Sequence, residues 1–119
     1  MTTKKQFIDY INATEKASLT IKNTSFSNIN KSKNVWWFNI AVDKFKSEVN
    51  LLLKVENGVF WIVLPVGFVE SLENTFKVRK DKNAVDLEIN AGSNNFLCDV
   101  KSGGTGFDFN EFVKDTIML

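Results

Sequence analysis

Asn57-Gly58 stands between two apolar runs, Val49–Val55 and Val59–Leu64. That arrangement predicts a β-hairpin with a type I′ turn, in which both central residues take positive φ. Pro65 removes a backbone donor and ends the second strand. The chain is rich in aromatic side chains, with 11 Phe among 119 residues beside Trp36, Trp37, Trp61 and Tyr10. Such residues supply a large burial area and suit a sheet face packed under helices.

Further strands are expected around the hairpin. Val35 to Val42 is apolar and aromatic, and a regular strand there directs one of Trp36 and Trp37 away from the core face. Thr75 to Arg79 and Val85 to Ile89 alternate cleanly, with Phe76, Val78, Val85, Leu87 and Ile89 on one face and Lys77, Arg79, Asp86 and Glu88 on the other. Phe96 to Val100 reads as one more strand. Thr3 to about Lys16 has the spacing of a helix, with Thr2 or Thr3 as its cap. Asn23 to Asn34 is polar and rich in turn formers, which predicts a loop, and Val66 to Asn74 reads as a short helix or loop. Asp108 is placed to cap a last helix running to Ile117, with Phe109, Phe112, Val113 and Ile117 inward. The expected fold is one α+β domain over residues 1–119: an antiparallel meander of about five or six strands, with an N-terminal and a C-terminal helix.

Composition narrows the chemistry. There is no His, which removes His-based triads, His general bases and His–metal sites. Cys98 is alone, so no intrachain disulfide forms, no structural zinc site is expected and a reducing compartment is favoured. Cys98 also lacks an activating base and reads as a small buried thiol. Met1 to Gln6 leads into a polar amphipathic stretch rather than an apolar leader, and Val59 to Val69 is interrupted by Pro65 and Gly67. The expectation is a cytoplasmic protein with no membrane partner.

Net charge is +1, unevenly spread. Six Lys face two acids in residues 1–33, two Lys face six acids in residues 83–119, and Lys77-Val78-Arg79-Lys80-Asp81-Lys82 is a compact basic segment between them. If the loop and the hairpin tip lie together, Lys31, Lys33, Lys77, Arg79, Lys80 and Lys82 would contact phosphates, with Asn28, Asn30, Asn34 and Asn83 adding hydrogen bonds. A single Arg among them suits backbone positioning more than base readout.

Asp86, followed about a dozen residues later by Asp99-Val100-Lys101, resembles the metal-binding signature of the PD-(D/E)xK nucleases. The resemblance implies two acids holding Mg²⁺ and a Lys positioning the attacking water. It departs from the family at Val85, where the pattern has Pro, and the expected last helix is not followed by the family's parallel strand. Ser102-Gly103-Gly104-Thr105-Gly106 would offer N–H groups to a phosphate at a helix start, yet it lacks the Walker spacing and serves more simply as a tight turn. Trp36 to Ile40, Phe60 to Pro65 and the hairpin Phe76 to Ile89 give a texture similar to the small non-catalytic modules that accompany restriction endonucleases.

The leading expectation is therefore a non-enzymatic, nucleic-acid-associated binding domain with neither cofactor nor metal. The first alternative is a small inhibitor or immunity-type protein that binds a protein partner through Asp108, Glu111 and Asp115. The second is a Mg²⁺-dependent nuclease using Asp86, Asp99 and Lys101.

Overall fold

Leu51, Leu52 and Leu53 follow one another in β4 (Val49–Val55), and all three are fully buried. Successive strand residues point to opposite faces, so such a run requires cover on both sides. In the computed structural model, which describes residues 1–119, each side has its own layer. Helix α1 (Lys4–Glu15) packs on one face, where Phe7, Ile8 and Ile11 meet Leu52, Val59, Trp61 and Ile117. A second sheet covers the other face, where Val49, Leu51, Leu53, Ile62 and Leu64 meet Trp36, Phe38, Ile40, Val85, Leu87 and Ile89.

The first sheet has the order β1 (Thr24–Ser27), β4, β5 (Gly58–Leu64), β8 (Val113–Met118). The second has the order β2 (Ile29–Asn30), β3 (Val35–Ala41), β7 (Ala84–Asn90), β6 (Lys77–Arg79). The strand stretch 24–30 passes from one sheet to the other at Asn28. A short helix α2 (Leu72–Thr75) precedes β6. Trp36 Nε1 donates to the Lys54 carbonyl at 2.9 Å and joins the layers. An aromatic cluster closes one end, with Phe107 and Phe109 edge-to-face at 4.9 Å between centroids. No helix is long and apolar enough to cross a membrane.

The expected helix start holds. Thr3 Oγ1 accepts from the Gln6 N–H while Gln6 Oε1 accepts from the Thr3 N–H, a reciprocal cap worth about 1 kcal/mol. Lys16, in the left-handed region at φ 52°, ends α1.

Five expectations are corrected. Phe96 to Val100 is not a strand: it is a turn followed by isolated bridges at Cys98 and Asp99. The strands form two four-stranded sheets rather than one meander, and the β1–β4 pair is parallel. Part of the stretch expected to be a loop is strand: buried Thr24, and Phe26 stacked on Phe7 at 6.2 Å, anchor β1, an edge otherwise held by backbone pairing. The C-terminal helix is absent. Residues Asn110–Phe112 make one 3₁₀ turn and Val113–Met118 then pairs with β5, whose free edge outbids local helical spacing. The hairpin forms, but Val55 pairs with Gly58, so Glu56 and Asn57 make the turn and neither has positive φ. Gly58 serves another purpose: a Cβ there would lie 1.8 Å from the Ile117 carbonyl oxygen, so only Gly lets β8 approach.

Candidate nucleic-acid interface

The outward face of the second sheet follows from the alternation in β3 and β7. With Trp36, Phe38 and Ile40 buried, Trp37, Asn39 and Ala41 must point out, and Trp37 is 56% exposed. Val85, Leu87 and Ile89 point inward, which turns Asp86 and Glu88 outward beside them. Glu88 lies opposite Trp37, and Asp86 lies opposite Asn39 on one side and Lys77 on the other.

The charges on this face are arranged in pairs. Glu88 Oε2 lies 3.4 Å from Lys33 Nζ and 3.4 Å from Lys101 Nζ, so one half-buried carboxylate holds two ammonium groups. Asp86 is buried, accepts from the Asn39 amide and sits 4.0 Å from the Arg79 guanidinium. Arg79 also reaches Asp81 at 3.2 Å, and that hydrogen bond holds the Asp81 carboxyl below its usual range. Together Asn30, Lys33, Trp37, Arg79, Glu88 and Lys101 line a shallow depression of about 310 Å³.

The structure therefore brings Lys33, Arg79, Lys101 and Asp86 to one face, although the sequence had split them between two hypotheses. The rest of the basic set is dispersed. Lys80 pairs with Glu73 at 3.4 Å, Lys77 lies along Gly103, and Lys31 and Lys82 are exposed in turns. Those turns are at opposite ends of the sheet, because Val35 pairs with Asn90 and Ala41 with Ala84. Seven strand residues put them roughly 20 Å apart. Asn34 and Asn83 occupy left-handed turn positions at φ 56° and 50° and shape those turns.

Asp99 has a different setting from Asp86. Its Oδ1 accepts from the backbone N–H of Glu88 at 3.2 Å and of Lys101 at 3.1 Å, replacing a ladder bond beside β7. Its Oδ2 is buried without a hydrogen-bond partner, next to Gly104, where a Cβ would lie 2.6 Å away. Burial pushes the Asp99 carboxyl up, against the two backbone N–H bonds that pull it down. No three acidic or cysteine side chains gather as a metal-holding group. In the glycine-rich bend, Gly104 N–H donates to the Lys101 carbonyl and Thr105 N–H to the Thr75 carbonyl, so both serve the turn, and no α-helix follows.

The three acids of the inhibitor reading lie apart. Asp108 bridges to Cys98 and accepts from the Asn110 N–H at 2.9 Å, which holds its carboxyl low. Asp115 lies beside Glu15 of α1, and the neighbouring carboxyl raises the Glu15 carboxyl. Glu111 is exposed in the turn between them.

The sequence did not identify Glu88 as the organiser of the two lysines, or Trp37 as the outward ring. The alternation of Trp36, Phe38 and Ile40 with Trp37 and Asn39 carried the second signal. No protein-family model, no curated protein and no solved structure matches the chain.

Proposed function

We propose that this protein is a non-enzymatic binding domain for single-stranded nucleic acid, and that the outward face of its second sheet is the binding surface. The observation that carries the reading is Trp37, exposed on an inner strand of an open four-stranded sheet and flanked by Lys33, Lys101, Arg79 and Asn30. An unpaired base stacks on such a ring, with a gain of about 1–3 kcal/mol per base. A duplex offers no free base face, and its major groove admits a helix or ribbon rather than a flat sheet.

The ion pairs do not oppose this. The Lys33 side chain is 61% exposed, so a phosphate oxygen can draw it away from Glu88 at little loss, while Lys101 stays on that carboxylate and still has N–H donors for a phosphate. Until then Glu88 keeps both ammonium groups beside the Trp37 ring. Asp99, bonded to backbone rather than facing the depression, supports binding over catalysis.

Fluorescence anisotropy of labelled oligothymidylate, oligouridylate and duplex DNA at two salt concentrations tests the proposal. Single strands of about four nucleotides should bind with an affinity that falls as salt rises, with a log–log slope of about −2 for three phosphate contacts. Lys33→Ala, Arg79→Ala and Lys101→Ala together should remove most of that slope. Equal binding of duplex and single strand, or a triple variant as tight as wild type, overturns it.

A further inference from the structure

Across the seam between the sheets lies a second basic group. Lys4 Nζ donates to the Ile21 carbonyl at 3.0 Å and Lys44 Nζ to the Lys22 carbonyl at 2.6 Å, so two ammonium groups are fixed on consecutive carbonyls of one turn. Neither they nor Lys22 has a carboxylate within 4.0 Å. The nearby Asp43 is paired with Lys46, and Glu48 borders the same depression without pairing to any of them. Burial lowers the pKa of Lys4, and the charge of Lys44 lowers it further. Two like charges held together with no counter-charge are relieved by an anion. Each ammonium has three donors and gives one to a carbonyl, which leaves two for an incoming oxygen.

The location gives the anion an identity. Lys4 lines a depression of about 530 Å³ that also includes Trp37, with Ser27 and Asn28 between them. Ser25 is common to that depression and to the next, of about 440 Å³, where Lys22 and Lys44 stand. A path of polar side chains thus runs from the exposed ring over β1 to the lysines.

We infer that Lys4 and Lys44, with Lys22 beside them, form a phosphate clamp for the sugar–phosphate backbone of the same single strand whose base stacks on Trp37. This rests on the binding reading above and extends it to a second contact, made by the start of α1, the turn before β1 and the 3₁₀ turn Val42–Lys46. A ligand that is too short to cross the seam gains nothing from the clamp.

The test compares oligothymidylates of about four and about twelve nucleotides, followed by quenching of tryptophan emission, for wild type and Lys4→Gln/Lys44→Gln. The double variant should bind the longer strand about tenfold more weakly, with a salt slope smaller by about 1.4, and bind the shorter strand as wild type does. Lys4→Arg/Lys44→Arg, which keeps both charges, should restore the longer strand's affinity and guards against a folding defect. A double Gln variant that matches wild type on the longer strand, or weakens both lengths equally, overturns the clamp and leaves the Trp37 reading standing. Absence of quenching in wild type at both lengths overturns both.

Discussion

Trp37 donates its backbone N–H to Ser27 Oγ at 3.1 Å, and Ser27 donates in turn to the Asn28 carbonyl at 2.7 Å. The exposed ring on the second sheet is thereby fixed to the strand that crosses from the first. Binding at Trp37 and stability of the fold separate at this point. Trp37→Ala removes an exposed side chain outside both hydrophobic clusters, so stability should change by no more than about 0.5 kcal/mol. Affinity for single strands should fall at least about fivefold, the lower end of the stacking range. Urea denaturation and anisotropy on the same sample check both.

Gly58 and Ile117 give the sharpest stability prediction. A methyl at position 58 would overlap the Ile117 carbonyl, and backbone cannot yield as a flexible side chain can. Gly58→Ala should destabilise by about 3 kcal/mol or more as β8 is forced from β5. A midpoint within 1 M urea of wild type would contradict this, given a typical slope of about 1–3 kcal/mol per M.

Trp61 Nε1 donates to Asn50 Oδ1 at 2.9 Å between two buried side chains under α1. Asn50→Ala leaves that indole N–H without a partner, at a loss of about 1–3 kcal/mol. Trp61→Phe in the Asn50→Ala background removes the stranded donor and should recover part of the loss. A double-mutant cycle in urea reads the coupling directly.

Much of this fold was legible. The cap at Thr3, the apolar spacing of Phe7, Ile8 and Ile11, and the runs that became β3, β4, β5 and β7 are local signals, and local chemistry decides them. The elements that were missed depend on partners distant in sequence. β1 is polar and forms because Asn50 to Leu53 present an open edge, and β8 is a strand because β5 offers Gly58. The site divides in the same way. Lys33, Arg79, Lys101 and Asp86 were visible as chemistry, but their meeting is set by the register of β7 with β3 and β6. Lys4 and Lys44 are separated by forty positions and meet only through the turn at Ile21–Lys22.

Asp99 predicts a pH dependence whose sign is fixed. Burial raises its carboxyl, so between the unfolded value, about 3.9, and the higher native one the folded chain holds a proton that the unfolded chain has lost. Its contribution therefore declines as pH rises through that window, and the penalty persists above it. Asp81 and Asp108 are held low and act oppositely, with stability lost as pH falls through their native values. Comparing wild type with Asp99→Asn cancels those terms. The stability of the variant relative to wild type should rise from about pH 3 to neutrality. A difference that is constant with pH would mean that Asp99 is not strained by burial.

Tryptophan emission tests the central claim most directly, because Trp36 and Trp61 are buried and Trp37 alone is exposed. Titrating wild type and Trp37→Phe with oligothymidylate at low salt should quench the wild-type signal in a saturable way, with the quench lost in Trp37→Phe. Binding that leaves wild-type emission unchanged, or a quench that persists in Trp37→Phe, would contradict the assignment of this face as the binding surface.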